Sequence, residues 1–446
     1  MSSKAAIGIA EYARRRRALM RAVGDDAVVL VPAAPIRYRN SDAAYPYRQS
    51  SDFLYLTGFD EPEALLVLTP GRAAAEQILF CRDHDERAER FDGERLGPDR
   101  AAQHLNLDDA FPIPDVDEIL PGLMEGRTRI YFAVGADPDF DRRIMSWVNG
   151  IRARVGAGAL PPSEFVDIGH LLHDLRLVKS AAELRLMREA ARISCAAHIR
   201  AMELSAPGVS EGDLEAELLY AFRRGGARAA AYESIVAGGD HACTMHYVRN
   251  DAPLQDGELV LIDAGCEFAG YASDITRTFP VSGRFSPAQR QVYDLVLEAQ
   301  HAAIAAVRPG AHFNEPHEAA ARVLTRGLVE LGLLEGDLDA LLAAEAARPW
   351  TIHKCSHWLG LDVHDVGDYR LGDAWRDLEA GMVLTIEPGL YFHRDLEGTP
   401  ARLRGIGVRI EDDVVVTKDG CSVLTDGVPK HADEIEALMA SARAVA

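Results

Sequence analysis

At 446 residues the chain exceeds one ordinary domain, so two or three domains are expected. Its 48% hydrophobic and 26% charged content is that of a globular protein. The net charge of −21, from 69 Asp+Glu against 48 Lys+Arg, argues against nucleic acid and anionic lipid as partners.

The first elements are read in chain order. Arginines at 14–17 stand where the apolar core of a secretion signal would begin, and no later run reaches roughly 18 apolar residues. Neither a signal peptide nor a membrane span is expected, and the cytoplasm is the expected compartment. The arginine run lies in a helix-compatible stretch and reads as a solvated face. Apolar runs at 27–31, 64–69, 77–81 and 129–134 read as strands and 137–149 as a helix, an α/β alternation. The Gly- and Pro-rich stretch 156–162 is the linker candidate. The six cysteines (Cys81, Cys195, Cys243, Cys266, Cys355, Cys421) are scattered without a C-x-x-C pair and read as small buried hydrophobes.

From Ser180 the pattern changes. Ser180 and Glu183 make a capping-box pair ahead of a helix to about Leu204, with Leu184, Met187, Ala191, Cys195, His198 and Met202 near one face. Pro207-Gly208 ends it and a second helix spans about 211–224. The order recurs: Ser286-Pro287 opens a long helix, Pro309-Gly310 closes it, and another follows from about Glu315. This hints at a duplication, with two α+β halves and a cleft between them.

Each half places acids inside apolar strands. Leu259 to Ile262 runs into Asp263, and Asp274 opens a second strand to Phe279. Paired as a hairpin centred on Phe268 and Ala269, these strands would set Asp263 directly opposite Asp274. Like charges so placed are destabilising unless a cation lies between them. The second half offers Glu387 at the end of 383–386 and Glu411 after 407–410, with His353, His357 and His364 between the halves. Four carboxylates balance two divalent cations. Four oxygen ligands and one imidazole suit Mn²⁺, and to a lesser extent Co²⁺ or Zn²⁺. Two such ions would activate a bridging water for attack on a carbonyl, which makes a dinuclear hydrolase the expectation.

These segments resemble the pita-bread metallopeptidases, and among them the aminopeptidase P (Xaa-Pro aminopeptidase) family. The resemblance rests on LIDAG at 261–265, SDITRTFP at 273–280, SHWLGLDVHDVG at 356–367, TIEPGLY at 385–391 and GIGVRIEDD at 405–413. A further stretch, 40–68, is similar to that family's N-terminal domain. The resemblance implies an α+β protein, with an α/β N-terminal domain over 1–174 and a pita-bread catalytic domain over 175–446. It implies removal of the N-terminal residue from oligopeptides with proline second, by a metal-bridging hydroxide, in a homodimer or homotetramer. Asp263 would bind one metal and His357 with Glu387 the other, with Asp274 and Glu411 bridging. His246, His364 and Glu387 would serve catalysis, and His353, Tyr391 and Arg409 the substrate site. Relatives often carry a small residue after the histidine matching His353, whereas Lys354 and Cys355 stand here. The alternatives are a prolidase acting on Xaa-Pro dipeptides and a non-catalytic binding module. The first is disfavoured by the Asn40–Phe59 signature and the second by the intact ligand set.

Overall fold

The alternation of short apolar runs with amphipathic helices in the first third folds as one sheet with helices packed on it. The computed structural model describes residues 6–445 and divides into two units, Ile7–Arg176 and the residues from Leu177.

In the first unit, β1 (Ala27–Pro32), β2 (Leu65–Leu68), β3 (Gln77–Cys81), β4 (Asp109–Pro112), β5 (Arg129–Phe132) and β6 (Glu164–Asp167) form a mixed sheet ordered β4-β3-β2-β1-β5-β6. Alternate residues of its central strands (Val28, Leu30, Ile130, Phe132) share a core with Ile144, Val148 and Ile151 of α2 (Pro138–Arg152). Asp137 caps α2, its side chain accepting from the backbone N–H of Asp139 and Phe140.

Two expectations fail in this unit. The 156–162 stretch is no linker but the turn from α2 to β6, where Gly158 adopts φ 95° and Gly126 N–H donates to Leu160 O at 2.8 Å. Its glycines serve a left-handed turn, not an interdomain hinge. The arginine run is a solvated face only at Arg14 and Arg17. On the first helix, α1 (Ile9–Val23), Arg15 and Arg16 are 1% and 0% exposed. The Arg16 guanidinium donates to Gln77 Oε1 and to the carbonyls of Leu56, Leu105 and Asn106, at 2.7–3.0 Å. Its five-donor fork closes the open carbonyls of helix ends, which lets a charge lie buried.

The second unit repeats one order twice. Two helices, α3 (Ala181–Leu204) and α4 (Glu211–Gly225), precede the first set of strands. Two more, α5 (Pro287–Ala306) and α6 (Glu315–Glu330), precede the second set, with the short α7 (Leu338–Ala343) after them. Ser180–Glu183, Ser210–Asp213 and Ser286–Gln289 all form complete capping boxes, so the helix starts are set by local sequence. On α3 the expected face is buried through Met187, Ala191, Cys195, His198 and Met202, with Leu184 half-buried. In the first strand set, β7 (Ile235–Gly238), β8 (Leu259–Asp263) and β11 (Thr276–Pro280) make one sheet, with β9 (Cys266–Phe268) and β10 (Tyr271–Ala272) extending the β8/β11 hairpin. In the second, β12 (Val383–Ile386), β15 (Asp412–Val416) and β16 (Cys421–Val423) form one sheet. The intervening β13 (Gly389–Phe392) pairs with β14 (Ile406–Arg409). All six cysteines are free, five buried and Cys421 half-buried.

Candidate metal centre

Both hairpins break where their acids stand. In the first, Asp263 pairs with Thr276 and the ladder resumes at Glu267 with Ala272, so Asp274 falls in the interruption. The two-residue loop is Ala269-Gly270, with φ 52° and 87°. Both positive angles match the I′ turn that suits strand twist. The turn therefore lies one residue beyond the expected centre, and Asp263 does not directly oppose Asp274. The shift moves the register by two, which keeps both side chains on one face as diagonal neighbours. Gly265 sits where a Cβ would meet Ser273 O at 1.7 Å, so only glycine lets the strands approach here.

In the second hairpin, the register pairing Ile386 with Asp412 and Gly389 with Arg409 sets Glu387 opposite Glu411, again in a gap between ladders. His357 arrives on a segment lying against β12: Thr385 N–H donates to His357 O, and Glu387 N–H to Cys355 O, both at 2.9 Å.

The five expected ligands converge. Donor atoms of Asp274, His357 and Glu411 lie within 4.8 Å of one another. His357 Nε2 is 3.4 Å from Asp274 Oδ2 and 3.6 Å from Glu387 Oε1. Asp263 is joined to Asp274 through Tyr232, whose hydroxyl lies 2.7 Å from Asp263 Oδ1 and 2.5 Å from Asp274 Oδ1. Arg409 Nη2 donates to Asp263 Oδ2 at 2.5 Å and its Nε to Thr276 Oγ1 at 3.0 Å. Thr276 in turn donates to Glu411 Oε2 at 2.7 Å. Asp274 N–H is held by the Asp413 carboxyl at 3.2 Å.

Charge decides what this arrangement is for. Four carboxylates share one contacting guanidinium, and none is more than 15% exposed. Burial, with mutual repulsion, holds Glu411 well above the usual carboxylate range, raises Asp263 and pushes Glu387 up to about 7. Burial works against the charge on His357, but the hydrogen bond to Asp274 and the charge of Glu387 outweigh it and push the imidazole up to about 9. A negative cluster that must otherwise take up protons fits divalent cations, and its oxygen-rich donors with one imidazole fit a hard metal.

The outer residues are placed as follows. His353 Nε2 lies 2.7 Å from Tyr391 OH, which also accepts from Arg409 Nη1 at 3.1 Å. His353 Nδ1 is 3.5 Å from Glu387 Oε2. The exposed His364 stands edge-on to His357, with ring centroids 4.4 Å apart. Its neighbour Asp365 forms a buried ion pair with Lys179 at 2.9 Å, over Gly360, where a Cβ would lie 2.1 Å from Asp365 Oδ2. His246 is exposed, on a loop gathered by Glu211 at the start of α4. The fully buried Glu211 carboxylate accepts from Gly238 N–H, Ala252 N–H and the Tyr247 hydroxyl, at 2.8–3.0 Å, and lies 2.9 Å from His241 Nδ1.

Sequence reasoning missed Tyr232, Thr276, Asp413 and Glu211. Tyr232 stands alone after three alanines, and Thr276 lies inside a recognised motif as an ordinary strand residue. Asp413 follows Glu411 at the strand period of two, which was the available signal.

Residues 185–418 match metallopeptidase family M24, and residues 12–131 match the aminopeptidase P N-terminal domain. The chain is 45% identical to an Xaa-Pro aminopeptidase of Escherichia coli over 97% of its own length and 98% of that protein's. It is 35% identical to human Xaa-Pro aminopeptidase 3, over 97% and 86%. Among solved structures, Pseudomonas aeruginosa aminopeptidase PepP superposes with a TM-score of 0.97 at 58% identity, covering 99% of this chain and 100% of that one. Zinc-substituted E. coli aminopeptidase P in complex with product gives 0.95 at 45% identity, covering 98% and 99%.

Proposed function

We propose how the reaction is carried out by a chain that belongs to metallopeptidase family M24 and carries an aminopeptidase P N-terminal domain. It is a metal-dependent exopeptidase that removes the N-terminal residue from peptides whose second residue is proline. The observation that carries the reading is the gathering of Asp274, His357 and Glu411, with Asp263 and Glu387 beside them, where four acids stand at the two ladder breaks. In our reading these five would hold two divalent ions, Mn²⁺ before Co²⁺ or Zn²⁺. When bound, the ions supply Lewis acidity toward the peptide carbonyl and lower the pKa of the water that attacks it.

The chain's own residues do the rest. Glu387, placed 3.6 Å from His357, would take a proton from the attacking water and deliver it to the proline nitrogen as the bond breaks. His364, beside His357, and His246 on its loop orient the scissile carbonyl and donate to the developing oxyanion. His353 and Tyr391 form the wall against proline, and Arg409 keeps Asp263 aimed inward through its 2.5 Å contact. Six free cysteines suit a reducing compartment, and we place the protein in the cytoplasm. No helix among the described residues is long and apolar enough to cross a membrane.

The test is a comparison of Xaa-Pro dipeptides with Xaa-Pro-Yaa peptides, before and after chelation. The longer peptides should be preferred, and activity lost to chelator should return best with Mn²⁺. A strong dipeptide preference would mean a prolidase, and indifference to chelation would remove the metal centre from the mechanism.

A further inference from the structure

Residues 177–180 open the second unit and pack against the loop that carries His357 and His364. Lys179 is fastened there at both ends. Its backbone N–H donates to Gly381 O at 2.9 Å, and its ammonium pairs with the Asp365 carboxylate at 2.9 Å, each side chain 1% exposed. The contact leaves no room for side chains on the loop. A Cβ at Gly360 would lie 2.9 Å from Lys179 Cε, and one at Gly367 would lie 2.9 Å from Leu177 Cδ1.

Asp365 closes the loop as well as anchoring it. Its N–H donates to Trp358 O at 2.9 Å, the same carbonyl that lies 2.9 Å from His357 Nδ1. His357 is fixed separately, since its carbonyl accepts from Thr385 N–H at 2.9 Å and its own N–H donates to Thr385 Oγ1 at 3.1 Å. The His364 ring makes no hydrogen bond among the described residues, and it stands edge-on to His357 because the next residue, Asp365, is pinned. Resting on the function proposed above, we infer that Lys179 is a positioning residue: through Asp365 it holds His364 where that ring meets the scissile carbonyl. A buried ion pair adds little net stability, because the desolvation of both charges offsets their attraction. What this pair adds is a fixed place for the loop, between a metal ligand that is already anchored and a histidine that is not.

The test is a double-mutant cycle in the metal-loaded full chain, with Ala-Pro-Ala as substrate and Lys179→Met and His364→Ala made singly and together. Lys179→Met should lower kcat by roughly 10- to 100-fold with KM kept within about twofold, as expected when a group acting in the transition state is misplaced. In the His364→Ala background the same substitution should change kcat by less than about threefold, because the ring it positions is gone. Equal falls in both backgrounds would mean general damage and overturn the inference, as would an unchanged kcat in Lys179→Met. If circular dichroism shows Lys179→Met unfolded, Lys179→Met/Asp365→Asn, which strands no buried charge, takes its place and is read in the same way. A second readout needs no turnover. With isotope-labelled histidine, the His364 ring signal in the NMR spectrum, identified by its loss in His364→Ala, should shift in the Lys179 variant while that of His84, in the first unit, stays in place. If the peptide is not cleaved, or His364→Ala is as active as the parent, a shifted signal upholds the positioning while the proposed role of His364 fails. An unshifted signal overturns the inference.

Discussion

Replacing Arg277 by Met should destabilise the second unit by about 3 kcal/mol. Arg277 on β11 and Asp412 on β15 are both fully buried and pair at 2.8 Å, tying the strand after Asp274 to the strand after Glu411. Asp412 also accepts from Lys430 Nζ at 2.7 Å, Gln300 Nε2 at 2.6 Å and Thr425 Oγ1 at 2.7 Å. Burial alone would raise this carboxyl, but the charges of Arg277 and Lys430 prevail and hold it at about 2 against an ordinary 3.8. At 1.36 kcal/mol per tenfold change, that depression corresponds to about 2 kcal/mol of native stability. This stabilisation is present above the unfolded value of 3.8 and is lost as pH falls through about 2. Breaking a buried pair typically costs 3–5 kcal/mol, and the surviving Lys430 contact puts the expected loss near the lower end. Urea unfolding followed by tryptophan fluorescence suits the measurement, because Trp350, Trp358 and Trp375 lie in this unit against Trp147 in the other. In the variant the acid-induced loss should also begin at higher pH, as Asp412 returns toward its ordinary value. A loss under about 1 kcal/mol would refute the reasoning, as would an Arg277→Met/Asp412→Asn double variant whose loss is the sum of the singles.

Two further outcomes are expected at the centre itself. Asp263→Ala or Glu411→Ala should abolish turnover with the circular dichroism spectrum kept, and near-normal turnover in either would sink the ligand assignment. Tyr232→Phe removes the hydroxyl shared by Asp263 and Asp274. Metal affinity measured against a competing chelator should fall by roughly tenfold or more, and an unchanged affinity would deny Tyr232 any part in positioning the ligands.

Much of this molecule was legible because its signals are local. The capping boxes at Ser180, Ser210 and Ser286 declare helix starts within four residues, and acids ending apolar runs announce buried charge. What escaped depends on distant partners. Arg15 and Arg16 look solvated until carbonyls some 40 and 90 residues away are supplied. The hairpin register turned on Ala269, a residue with no particular liking for positive φ, so nothing local marked where the turn falls. Asp412 and Glu411 are adjacent and both acidic, yet strand alternation sends one to Arg277 and the other to the metal-binding face. Tyr232 carried no local signal at all, because its two partners lie 31 and 42 residues on.

Glu211 gives the His246 loop a mechanical character of its own. One buried carboxylate at the first turn of α4 closes contacts at residues 238, 241, 247 and 252. The loop cannot peel away bond by bond, since releasing the carboxylate orphans a buried charge and loosens every point together. It therefore opens as a single cooperative unit, and its amides should share one hydrogen-exchange rate instead of a gradient of rates. His246, exposed on this loop, lies 35 positions after the carboxylate that gathers it.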